Sequence, residues 1–66
     1  QTPQTSSANP AAREAYLRGR YYLAKRRPKD LLLAAAHFGE AVKHDPQFAL
    51  AWTELANAKI SLPLTG

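Results

Sequence analysis

Residues 37–52, HFGEAVKHDPQFALAW, decide how this chain folds. A helical pattern runs up to His44, breaks at Asp45-Pro46, and resumes at once with Phe48, Leu50 and Trp52. Proline lacks an amide hydrogen and pushes the residue before it out of the helical region, so the break is firm. A link this short predicts two helices lying antiparallel.

Upstream of the break, Leu31, Ala34, Ala35, Phe38, Ala41 and Val42 recur at spacings of three and four. That is the apolar face of an amphipathic helix, opened by Pro28 with Asp30 in its first turn. Earlier still, Asn9-Pro10 gives a helix start, and the helix is expected to end near Arg26, ahead of Pro28. Its apolar stripe is Ala11, Ala12, Ala15, Gly19 and Tyr22, widened by Tyr16, Leu17, Tyr21 and Leu23. Downstream, a third helix is expected over residues 47–61. It should bury Phe48, Ala51, Trp52, Leu55, Ala58 and either Ile60 or Leu62, with Pro63 and Gly66 ending it. No stretch alternates with period two for long enough to make a strand. The expectation is an all-α fold of three antiparallel helices, preceded by a flexible linker over residues 1–9.

Small residues predict where the helices come closest: Gly19 on the first, Ala34 and Ala41 on the second, Ala51 and Ala56 on the third. Phe38, Trp52 and Tyr22 are expected to fill what the small residues leave open. Burial of a large side chain is worth about 1.5–3 kcal/mol before entropy is counted, so Trp52→Ala is expected to be the most damaging single change.

With 66 residues the chain forms one small domain. A domain of this size buries only about 60% of its unfolded surface and is marginally stable. There is no cysteine, so neither disulfides nor thiolate metal sites contribute. This leaves the compartment open, the cytoplasm being slightly favoured. The chain opens on Gln1 and contains no methionine, so it is expected to be a piece of a longer protein. No apolar run approaches the roughly 18 residues needed to span a bilayer, so no membrane insertion is expected.

The formal charge is +4, unevenly placed. Arg18, Arg20, Lys25, Arg26, Arg27 and Lys29 fall within twelve positions that hold no acid. Such a cluster suits an anionic partner. It also suits a helix end, because Lys25-Arg26-Arg27 falls where cations complement the macrodipole.

Taken together, these spacings resemble the tetratricopeptide repeat (TPR), a helix pair of about 34 residues. The second helix carries the family's Ala-x-x-x-Phe-x-x-Ala-x-x-x-x-Pro as Ala34, Phe38, Ala41 and Pro46. The third opens with its Trp-x-x-Leu-(Gly/Ala) as Trp52, Leu55 and Ala56. Gly19 and Tyr22 match the family's glycine and tyrosine in the first helix, while Ala15 and Arg18 stand where tryptophan and leucine are usual. The spacing from Tyr22 to Ala34 is longer than in the family and predicts an enlarged turn near residues 26–29. The resemblance implies one TPR pair over residues 10–46, then the first helix of a second repeat over 47–66 that acts as a cap.

It also implies a concave, peptide-binding face of Arg13, Tyr16, Arg20, Leu23, Leu50, Thr53 and Asn57. Some family members grip a terminal carboxylate with Lys and Asn four apart. Here the corresponding pairs are Tyr16 and Arg20, then Thr53 and Asn57, so only Asn57 matches, although Arg20 suits a carboxylate by its planar fork. The function implied is a non-catalytic protein-interaction scaffold within a larger bacterial regulatory or signalling protein, its partner a protein or peptide.

Two rival readings are a basic helical module on nucleic acid, and a structural or dimerisation segment that pairs through the third helix. Against the first, the second helix opens on Leu and Ala rather than on residues that read base edges. His37 and His44 are about 10 Å apart along one helix, too far to share a metal. No Ser/His/Asp arrangement, glycine-rich phosphate loop or paired-carboxylate cleft is visible. No enzyme activity, catalytic residue, metal or cofactor is therefore expected.

Overall fold

The computed structural model describes residues 7–61, which form three α-helices and no strand. They are α1 (Pro10–Lys25), α2 (Pro28–His44) and α3 (Ala49–Ser61). The middle helix packs against both others, which touch each other far less. Asn9 Nδ2 donates to His44 O at 3.2 Å, so the start of α1 meets the end of α2 and the two run antiparallel. Arg26 Nη1 donates to Ser61 Oγ at 3.3 Å, which brings the ends of α1 and α3 together and makes those two parallel.

Each helix starts where local chemistry dictates. The Asn9 side chain accepts from the amides of Ala11 and Ala12, at 2.9 and 3.3 Å, and Pro10 fills the first helical position. Pro28 does the same for α2. The third helix starts at Ala49, two residues later than expected from the sequence. Asp45 is the reason: its side chain takes the Gln47 amide at 3.2 Å and its carbonyl takes the Phe48 amide at 3.0 Å, so Pro46 and Gln47 are spent on the turn.

Two expectations about the connections need correction. The enlarged turn near residues 26–29 is not observed, because only Arg26 and Arg27 separate α1 from α2. Arg26 closes α1 in the left-handed conformation, φ 62°, with its amide bonded to Leu23 O at 3.2 Å. The linker expected over residues 1–9 is also too long at its C-terminal end. Ser7 is buried, its hydroxyl donates to the Asp45 carboxylate, and the Asn9 amide donates back to Ser7 Oγ at 3.0 Å. Residues 1–6, the remainder of that linker, lie outside the described residues, as do Leu62, Pro63 and Gly66.

The core is built on one close approach. A Cβ placed on Gly19 would lie 2.6 Å from the Phe38 ring, so only glycine lets α1 come this near to α2. Phe38 is fully buried, as are Ala12, Ala34, Ala41, Ala51 and Ala58. The Tyr16 ring stands between Phe38, at 5.7 Å, and Phe48, at 4.9 Å, tilted to both. Three aromatic rings thereby join α1, α2 and the entry to α3.

Trp52 is not among them. It is 49% exposed, and its indole Nε1 donates to Pro46 O at 2.7 Å across the turn. Phe48, one helical turn earlier, does the packing that the sequence reading gave to Trp52. Ala56 and Ile60 are exposed too, because they share the side of α3 that faces away from α1 and α2. On α1, Ala11, Leu17 and Tyr21 are exposed and Tyr22 is half-buried, so the stripe is narrower than its hydrophobicity suggests.

Three substitutions test this packing by their effect on stability. Phe48→Ala is expected to cost about 3–5 kcal/mol, against a total near 3–10 kcal/mol for a chain this short, and to leave little helix by circular dichroism at 25 °C. Trp52→Ala should lose roughly 1–2 kcal/mol, for half a ring and one hydrogen bond, and stay helical. Arg26→Gly relieves a left-handed residue and is expected to raise the urea midpoint, by up to about 1 kcal/mol in stability.

Candidate partner-binding groove

Because α1 and α3 lie side by side on α2, they share a groove of about 270 Å³. Leu23 and Ala24 form its α1 wall, with Leu23 buried in the core beneath. Arg20 and Arg26 flank that wall, and Glu54 and Asn57 stand opposite on α3.

The polar groups of the groove are joined to one another. Arg20 Nη1 donates to the Tyr16 hydroxyl at 3.2 Å, its Nε lies 3.7 Å from Glu54 Oε2, and Asn57 Nδ2 donates to Glu54 Oε1 at 2.9 Å. The guanidinium of Arg20 also lies over the Tyr16 ring, 5.8 Å from its centre. These contacts hold the Arg20 pKa above its ordinary value, the hydrogen bond to Tyr16 first, then electrostatic attraction to the same hydroxyl oxygen, then Glu54. Among the described residues Arg26 has no carboxylate partner; its guanidinium reaches Ser61 Oγ instead.

Of the seven residues proposed from the sequence, the groove gathers Arg20, Leu23 and Asn57. Tyr16 contributes only its hydroxyl, since the ring is core. Arg13, Leu50 and Thr53 are exposed outside the groove, and Thr53 Oγ1 is engaged with Ala49 O at 3.1 Å. Sequence reading missed Ala24, Arg26 and Glu54. Glu54 carried a signal, because it stands three before Asn57 on the same helix face. Arg26 stood out only as a member of the basic cluster, since its place at the groove depends on the left-handed turn.

A larger cleft, about 390 Å³, lies along the other seam of α1 and α2 between Glu14, Leu17, Arg18, Tyr21, Tyr22 and His37. Volume favours that seam and charge favours the groove. In the seam Glu14 and Arg18 pair at 2.7 Å, and Tyr22 stacks flat on His37 with centres 5.4 Å apart. The groove holds two guanidinium groups against one carboxylate and is left with a surplus cation. His44 lies 3.7 Å from Glu40, and together with His37 it lines a neighbouring pocket of about 300 Å³ on the same seam. Among the described residues no three His, Cys, Asp or Glu side chains converge as a metal site would require, and no helix is long and apolar enough to cross a membrane.

A raised arginine pKa contributes fully below the ordinary arginine range and is lost only at still higher pH. The difference in urea midpoint between the parent chain and Arg20→Gln should therefore be the same at about pH 6 and pH 9. A difference that shrinks by pH 9 would contradict this reading of the groove.

Comparison with models of known protein families, with curated proteins and with solved structures finds no match.

Proposed function

We propose that this chain is a TPR-like, non-catalytic protein-interaction module of a larger bacterial regulatory or signalling protein, and that it receives a peptide segment in the groove between α1 and α3. The observation that carries the reading is the parallel placement of α1 and α3 on a shared α2. Their contacts pair residues about one repeat length apart, Arg20 with Glu54 and Arg26 with Ser61. Two leading helices in that relation leave their facing sides as one surface, which is how a repeat presents a groove to a partner. The groove has the mixed character of a peptide site: a short apolar wall of Leu23 and Ala24, an amide on Asn57, and charged groups at fixed places. The pattern of Ala34, Phe38, Ala41 and Pro46 adds to the reading, as the first three are fully buried against neighbouring helices.

Ala24 offers a direct test, being an exposed helical residue in the groove wall. Ala24→Trp fills the groove and costs the helix only about 0.5 kcal/mol in propensity. Peptides selected from a displayed random library against the parent chain are expected to bind the variant at least about tenfold more weakly, a loss of 1.4 kcal/mol. Its melting temperature should stay within a few degrees of the parent. Peptides that bind both chains equally, or a library from which none is enriched, would overturn the proposal.

A further inference from the structure

The net charge of +4 is confined to one end of the bundle. The Arg26–Ser61 hydrogen bond sets the end of α1 beside the end of α3, and α2 begins two residues after Arg26. Lys25, Arg26, Arg27, Lys29 and, in the last turn of α3, Lys59 are gathered there. Asp30 is the sole acid among them, buried and held by Arg27 Nε at 2.6 Å. Elsewhere Arg13, Arg18, Arg20 and Lys43 are balanced in number by Glu14, Glu40, Asp45 and Glu54.

Helix dipoles account for part of this. Lys25 and Lys59 are in last turns, where a cation is favoured. Lys29 is not explained that way, because it stands in the first turn of α2, at the positive end of the dipole. Among the described residues neither Lys29, Lys25 nor Arg26 has a carboxylate partner, whereas Arg18, Arg20 and Arg27 each have one. Arg26 also holds a left-handed backbone that glycine would adopt more readily, and its side chain stands at the mouth of the groove.

We infer that this end is a docking surface for an acidic protein segment, which meets Lys25, Arg26 and Lys29 and continues into the groove past Leu23 and Ala24. The inference rests on the groove reading above and adds the charge of the partner. A peptide is favoured over nucleic acid on two grounds. The Glu54 carboxylate lies within the groove, where it would repel a continuous phosphate backbone but tolerates a peptide with spaced acids. These three cations, of which Lys25 lies over the Tyr21 ring at 4.8 Å, also sit at the ends of helices and do not line one helix face that could enter a DNA groove.

The test is fluorescence anisotropy on the 66-residue chain with three labelled probes. They are a blocked decapeptide alternating Glu with Leu, the same peptide with Gln for Glu, and a short DNA duplex. The acidic peptide is expected to bind at least about tenfold more tightly than the Gln peptide at low salt, and to weaken as salt rises. It should bind more tightly than the duplex at physiological salt. The double variant Arg26→Gly with Lys29→Gln should weaken the acidic peptide about tenfold or more without lowering the melting temperature.

Equal binding of the two peptides would overturn the inference while leaving the groove reading intact. Preference for the duplex would overturn it in favour of nucleic acid. Acidic-peptide binding that ignores the double variant, or no binding by any probe, would also overturn it. If Ala24→Trp has no effect while the double variant does, the groove reading fails and the basic end stands alone.

Discussion

A single missing side chain governs this molecule. At Gly19 the backbone of α1 lies against the Phe38 ring, where even a methyl group would come within 2.6 Å of its carbons. That approach lets Phe38 be fully buried rather than stand at a seam. With Phe38 fixed, the Tyr16 ring has one place to go, tilted between it and Phe48. Phe48 in turn anchors the chain as it leaves the Asp45-Pro46 turn, and so sets where α3 lies. Close packing transmits position in this way because cores fill space nearly as densely as crystals do.

The groove is a consequence of that chain of contacts. It exists because α3 is seated parallel to α1, and its depth depends on Leu23 being core and Ala24 being small. Its charge has a different origin, in the two-residue turn between α1 and α2. The left-handed Arg26 turns the chain quickly enough to bring Lys25 and Lys29 to the same end of the bundle. One element of the fold gives the surface its shape and another gives it its sign. A partner that needs both would be recognised by neither the groove nor the basic end alone.

How much of this could be read beforehand depended on how many neighbours each helix has. The second helix is flanked on two sides, and of its periodic residues Leu31, Ala34, Phe38, Ala41 and Val42 are buried and Ala35 is half-buried. The first was legible in its spine, Ala12, Ala15 and Gly19, though Leu17 and Tyr21 face outward. The third has neighbours on one side only, so hydrophobicity was a poor guide there: Trp52 and Ile60 are exposed while the small Ala51 and Ala58 are buried. The buried Ser7 could not be anticipated either, since it depends on Asp45, 38 positions away in the chain. Of the groove, Arg20, Leu23 and Asn57 were visible in the sequence, whereas Ala24, Glu54 and the position that the left-handed turn gives Arg26 were not.

The account stands or falls on the contact between Gly19 and Phe38, and a double-mutant cycle in urea tests it most directly. Gly19→Ala alone should lower stability by about 1–3 kcal/mol through overpacking, even though alanine is the better helix former by about 1 kcal/mol. In a chain that also carries Phe38→Leu, the smaller side chain makes room, and much of the penalty at position 19 should vanish. A coupling of roughly 0.5–3 kcal/mol is the expected result. Strict additivity, or a Gly19→Ala chain more stable than the parent, would show that the helices do not meet as described.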